Sequence, residues 1–213
     1  MSDSTTELLV PGGTAIDRIA DVLQGPYRPV LTPAETVTYL FYDTFDWAIF
    51  HDGASLECRT QRSTRRLIRR PLDGGSSSVS QTLAGEPGFA SDLPLGPVRE
   101  QILGICGIRR LLPVVAVETH VTALRLVDDD AEPLLRIEVC ERNARHPGGA
   151  GCRPLATRIE LIAEPYREDV IREVADILID RLGAAAAQTP LVLEALAACG
   201  RRPGDYSSKI EDC

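Results

Sequence analysis

The chain has 213 residues, 44% of them apolar, and a formal net charge of −8. That length can bury a substantial core, and a single domain over 1–213 is the expectation. The acidic balance argues against sequence-independent nucleic-acid binding, which needs a cationic surface, and no stretch is long and apolar enough to span a bilayer.

The first six residues, Met-Ser-Asp-Ser-Thr-Thr, contain neither a basic region nor an apolar run, so neither secretion nor transit is expected, and the cytoplasm is the expected compartment. Leu8-Leu9-Val10 before Pro11-Gly12-Gly13 reads as a first strand and its turn. Ile16, Ile19, Ala20 and Leu23 then recur at helical spacing behind a candidate Thr14 cap. From Val37 to Tyr42 β-branched and aromatic residues predominate, and with Asp43-Thr44, Asp52-Gly53 and the run to Arg59 they predict a strand, a tight turn and a second strand. Trp47 beside this turn is expected to be a packing residue. Residues 65–71 and 79–83 read as two short strands around a flexible Asp73-Gly74-Gly75-Ser76 turn. Val98, Ile102, Leu103 and Ile105 predict one apolar face of a short helix.

The strongest strand pattern covers 114–127, with Asp128-Asp129-Asp130 as its polar turn and 133–141 as the returning partner. Residues 142–153 are expected to be a mobile loop and 155–163 a further strand. Pro165 suits the first turn of a long amphipathic helix ending at Gly183; a second helix spans about 190–199, and 206–210 closes as a short strand or extended tail. Cysteines 58, 106, 140, 152, 199 and 213 form no C-x-x-C and no Cys/His pair at metal-ligand spacing, so reduced thiols are expected, with Cys58 and Cys140 as small buried hydrophobes. Strands dominate, with helices in each third, which predicts an α+β domain around an antiparallel sheet. Glu118 and His120, two apart and so on one strand face, invite a metal or acid/base reading beside that of an ordinary polar interior.

Several segments resemble the CYTH or triphosphate tunnel superfamily, and in particular the CYTH domain found next to CHAD domains. The hairpin Tyr42-Asp43-Thr44, Asp46, then Gly53-Ala54-Ser55-Leu56-Glu57-Cys58-Arg59 is similar to the family's Y-x-D-T-x-D and G-x-x-L-R-x-R frame, with Glu57 on one arginine position. Pro113, Val114 and Arg125 match the family's long strand, while Ala116, Glu118 and His120 occupy its arginine slots. Glu138 and Glu160 match carboxylates of two later strands, where Arg158 and Ile162 depart from the pattern. Tyr206-Ser207-Ser208-Lys209 resembles a terminal S-K motif, and Lys209 is the one lysine among 23 basic residues. The signature E-x-E-x-K of the first strand is replaced, with Asp3, Thr5 and Glu7 on its positions.

The resemblance implies an antiparallel β-barrel, or tunnel, of about eight strands with flanking helices, whose alternate side chains point inward. It implies Arg59, Arg69, Arg125 and Lys209 as phosphate-binding residues, with Arg70 able to stand for Arg69, and Glu138 and Glu160 as ligands of Mg2+ or Mn2+. The implied function is binding of a nucleoside triphosphate or polyphosphate with hydrolysis weakened or lost. The alternatives are a divalent-metal-dependent triphosphatase in which Asp3, Glu7, Glu138 and Glu160 rebuild the metal site, and a structural or partner-binding module. The expected partner is a phosphorylated small molecule or polyphosphate, with neither nucleic acid nor membrane.

Overall fold

The computed structural model of the chain describes residues 5–204 apart from 13, 26, 75–77, 129, 150 and 164–166. Strand β1 (Thr5–Leu9) is followed by helix α1 (Ile16–Leu23), β2 (Arg28–Asp43), α2 (Ala48–His51), β3 (Ala54–Gln61), β4 (Thr64–Pro71) and β5 (Val79–Thr82). Then come α3 (Pro97–Cys106), β6 (Leu112–Val127), β7 (Pro133–Arg145), β8 (Cys152–Pro154), β9 (Arg158–Ala163), α4 (Glu168–Leu182), β10 (Ala185–Ala186) and α5 (Leu191–Ala198). The strands are hydrogen-bonded in the order β10-β1-β9-β7-β6-β2-β3-β4-β5, with β8 on β7, which is the expected α+β class around an antiparallel sheet. Among the described residues that path has two ends, β10 and β5, so pairing does not close it into a ring.

The chain divides into two compact units, the first formed by 1–35, 120–142 and 156–188 and the second by 36–119, 143–155 and 189–213. Three strands, β2, β6 and β7, contribute residues to both.

In the first unit, period-two alternation separates an apolar face from a charged one. Leu8 of β1, Ile159 and Leu161 of β9, and Leu135, Ile137 and Val139 of β7 are buried against Ile19 and Leu23 of α1 and Val170, Val174, Leu178 and Leu182 of α4. Burial of such side chains contributes about 1.5–3 kcal/mol each. The helix α4 ends where Gly183 takes a left-handed conformation, φ 68°, and its N–H returns to the Ile179 carbonyl at 3.0 Å. The expected Thr14 cap is not made: its hydroxyl donates to the Pro11 carbonyl at 2.7 Å, and Ala15 stands at the cap position of α1. The short strand β10, whose alanines carry little strand signal, pairs Leu8 and Leu9 with Ala186 and Ala185.

In the second unit the connection between β2 and β3 is a helical turn, α2, rather than a tight hairpin turn. The carboxylate of Asp43 causes it, accepting from the backbone N–H groups of Thr44 at 2.7 Å, Ile49 at 3.0 Å and Phe50 at 3.0 Å. These bonds satisfy the orphan donors at the start of α2 and hold Trp47, fully buried, at a left-handed φ of 58°. On one face of β3 and β4, Leu56, Cys58 and Leu67 pack with Val98, Ile102 and Cys106 of α3. Leu103 is exposed instead of joining that face, because it lies one position off the 98–102–106 stripe. Part of the segment expected as a mobile loop is strand: β7 runs on to Arg145, and Asn143, Ala144 and Arg145 pair with Pro154, Arg153 and Cys152 of β8.

Candidate functional site

The charged face of the first unit is built by the register of three strands. Glu7 of β1 pairs with Glu160 of β9, and Glu160 pairs with Glu138 of β7, so three carboxylates stand in one cross-strand row. The adjacent row places Leu9, Arg158 and Cys140 together, and the row on the other side pairs Ile162 with Arg136. Like charges directly opposite one another destabilise a sheet. Here each carboxylate is given an arginine: Arg158 donates to Glu7 at 2.6 Å, Arg136 to Glu138 at 2.6 Å, and Arg142 to Glu160. Arg136 reaches a further carboxylate, Glu35 of β2, at 3.5 Å.

These pairs are far from solvent where they matter most. The Arg142 and Arg158 side chains are 2% and 3% exposed, while Glu160 keeps 17% and Glu7 40% of its surface. Burying a charge without a partner is expensive, so the arginines are what allows the carboxylates to sit in this row. Burial pushes the Cys140 thiol well above its ordinary pKa, and the Glu160 carboxylate adds to the effect. The thiol is therefore protonated, and it donates to Glu160 Oε1 at 3.7 Å.

Ligand atoms of Glu138, Cys140 and Glu160 lie within 4.8 Å of one another. The donor set can be tested against a cation on its chemistry. Carboxylate oxygens suit Mg2+ or Mn2+, whereas a thiol suits softer ions, so a hard cation fits Glu138 and Glu160 with Cys140 as a neutral neighbour. Each of these carboxylates already accepts from an arginine through its Oε1, Glu138 from Arg136 and Glu160 from Arg142.

The second unit carries its own charged group. Glu57, on the arginine position of the hairpin, is buried and accepts from Arg70 Nε at 2.9 Å. Arg59, two residues along the same face, lies 5.9 Å from the centre of the Tyr39 ring, a cation–π contact. Arg69 points to the opposite face, in register with Leu56, and is bound to Asp52 at 2.6 Å and Gln101 at 3.3 Å. Of the two neighbouring arginines it is Arg70 that shares the face of Arg59, because side chains alternate along a strand.

The structure thus brings Glu138 and Glu160 together, and places Arg125, Glu118 and His120 at exposed positions of β6. Asp3, Lys209 and the segment 206–210 lie outside the described residues. The family motifs point to none of Arg136, Arg142 and Arg158 as site residues. Their signal is the alternation Arg136-Ile-Glu138-Val-Cys140-Glu-Arg142 and Arg158-Ile-Glu160, which puts both charge signs on one face.

No protein-family model matches the chain, and neither does any curated protein. Among solved structures, the chain is similar to a candidate adenylate cyclase from Bacillus halodurans, with 14% identity, a TM-score of 0.56, and coverage of 89% of this chain and 96% of that one. It is also similar to a candidate adenylyl cyclase from Hippeastrum described as having a dominant triphosphatase activity, with 13% identity, a TM-score of 0.59, and coverage of 93% and 96%. The fold resemblance expected from the sequence motifs is therefore present in three dimensions. No helix among the described residues is long and apolar enough to cross a membrane.

Proposed function

We propose that the chain binds a phosphorylated anion of the nucleoside triphosphate or polyphosphate class, with hydrolysis weakened or lost. The observation that carries this reading is the cross-strand row Glu7–Glu160–Glu138, in which every carboxylate is bound by an arginine. Groups able to hold a cation and groups able to hold phosphate stand on one face, but they are engaged with each other. The fold of a protein described as a triphosphatase supports the ligand class.

On this reading Glu138 and Glu160 are the carboxylates for Mg2+ or Mn2+; of the cations that sequence motifs nominate for phosphate, Arg125 lies in the first unit with them, Arg59 and Arg69 lie in the second, and Lys209 lies outside the described residues. A bound cation would supply charge neutralisation at the phosphate oxygens and polarise an attacking water. What the chain's residues do is orient and neutralise: guanidiniums present planar forks to phosphate oxygens, and the protonated Cys140 keeps its sulfur uncharged beside the carboxylates.

A second reading, a metal-dependent triphosphatase, is favoured by the approach of the Glu138 and Glu160 ligand atoms. Phosphate release from tripolyphosphate with Mg2+ or Mn2+, run beside calorimetric binding of the same ligand, separates the two. Binding with negligible turnover is the expected result. Robust turnover abolished by Glu138→Ala would establish the triphosphatase instead, and absence of any phosphorylated ligand's binding would leave a structural or partner-binding module.

A further inference from the structure

Helix α3 of the second unit buries Val98, Ile102 and Cys106 on one side, and helical spacing puts Glu100, Leu103, Gly104 and Gly107 on the other, all of them exposed. Apolar side chains stand in solvent at both ends of that face: Leu95, just before the helix, is 87% exposed and Ile108, just after it, 95%. Gly104 has no explanation within the fold. A glycine inside a helix costs stability relative to alanine, and it is kept where φ is positive or another group comes close. Gly107 has such a reason, a φ of 56° at the end of α3, but Gly104 has no positive φ, and a Cβ there would meet no atom within 4 Å. Beside this gap stands Leu103, a large apolar side chain left in water. The charges of the face are also unmatched: among the described residues Arg109 is bound to Asp46 at 2.9 Å, whereas the side chains of Glu100 and Arg110, both exposed, hold no ion pair.

We propose that this face of α3 is the contact of a two-fold dimer of the chain, in which two α3 helices pack antiparallel and Leu103 of each copy seats over Gly104 of the other. A leucine without a pocket and a glycine without a neighbour, adjacent on one face, complement each other, and a two-fold axis between them satisfies both at once. The missing Cβ lets the two helix backbones approach closely. The same axis sets residue 100 of one copy opposite residue 107 of the other, so Glu100 meets the end of the helix that the exposed Arg110 follows. Within one copy these two charges stand toward opposite ends of a ten-residue helix, about 15 Å long. Antiparallel packing also carries Leu95 of each copy toward the end that bears Ile108 in the other. A second copy is thus the partner whose charges and shape this face already matches, and the dimer is independent of the phosphate reading.

Sedimentation velocity of the full chain at rising concentration should show a monomer–dimer equilibrium. Gly104→Leu fills the gap that Leu103 of the other copy needs, and should weaken dimerisation at least tenfold. Measured at dilutions where both proteins are monomeric, its melting temperature should equal or exceed that of the wild type, since the position is open and leucine is the better helix former. Leu103→Asp, at an exposed position, supplies the same dimerisation test where Gly104→Leu does not fold by circular dichroism. Charge reversal tests the register: Glu100→Arg and Arg110→Glu should each weaken the dimer, and the two changes together should restore it. A wild type that stays monomeric at high micromolar concentration would overturn the proposal. So would a dimer that folded Gly104→Leu or Leu103→Asp leaves unmoved, or one that the paired charge reversal fails to restore.

Discussion

Glu138 and Glu160 stand directly opposite each other on β7 and β9, and each is bound by an arginine of its own, Arg136 and Arg142. The stability of the first unit therefore depends on cations within its charged face. Arg142→Ala leaves Glu160 without its buried partner and beside two other carboxylates, and should cost about 3–5 kcal/mol in urea unfolding. The double change Arg142→Met with Glu160→Leu removes both charges and fills the space with apolar atoms, and should recover most of that loss. If the single and double variants were equally unstable, the volume of the arginine rather than its charge would be what the site needs.

Alkaline pH should unfold this chain through its buried thiols. Burial pushes Cys106 from 9.0 up to about 11, with the Asp43 carboxylate adding to it, and burial raises Cys58 and Cys140 as well. The folded state holds these protons more tightly than the unfolded chain. The stabilisation is thus complete below about pH 9 and is lost as pH rises from there through the folded value. For Cys106 the two-unit window corresponds to about 2–3 kcal/mol. Urea unfolding at pH 8 and pH 10.5 should show this loss, and Cys106→Ala should flatten the slope with pH even where it lowers stability at pH 8. An unchanged slope would place the alkaline transition elsewhere.

Periodicity made the strands legible because burial on one face writes itself as alternation: Leu135, Ile137 and Val139 announce β7, and Ile159 and Leu161 announce β9. The same rule carried the pairing of Glu138 with Glu160 only as far as strand identity, since register depends on hydrogen bonding that no local pattern states. The arginines of the first unit escape motif matching for a related reason. Matching single positions to a phosphate motif points to Arg69, whose strand phase turns it toward Asp52, and to Arg70, which binds Glu57, but to none of Arg136, Arg142 and Arg158. Nor could local sequence distinguish a tight turn from α2, because Asp43 acts on N–H groups as far as seven residues away.

That carboxylate gives a prediction for the second unit. Asp43 is buried and accepts three backbone N–H bonds, from Thr44, Ile49 and Phe50. Asp43→Ala leaves those donors without their acceptor and should cost about 2–4 kcal/mol, since hydrogen bonds to a charged group contribute about 1.5–3 kcal/mol. Asp43→Asn keeps one acceptor oxygen and should cost less. Equal stabilities of wild type and Asp43→Ala in chemical denaturation would mean that water replaces the carboxylate without penalty.

The last prediction concerns Arg201, which follows α5. In the fold it is buried, and its guanidinium donates to the Val114 carbonyl at 2.8 Å and to His146 Nε2 at 2.8 Å. An arginine can only donate, so His146 Nε2 is the acceptor and the ring proton belongs on Nδ1, which lies 2.9 Å from the Pro147 carbonyl. Arg201 thus ties the end of α5 to β6 and to the segment after β7, all within the second unit. Arg201→Ala removes both bonds and strands the Val114 carbonyl, so amide exchange across Leu191–Ala198 should accelerate at least tenfold while β1 and β9 keep their protection. Arg201→Lys retains a charge and a donor nitrogen but on a shorter, more flexible stem, and should fall between. Exchange in α5 that is indifferent to both changes would show that the packing of Val192 and Leu196 holds the helix by itself.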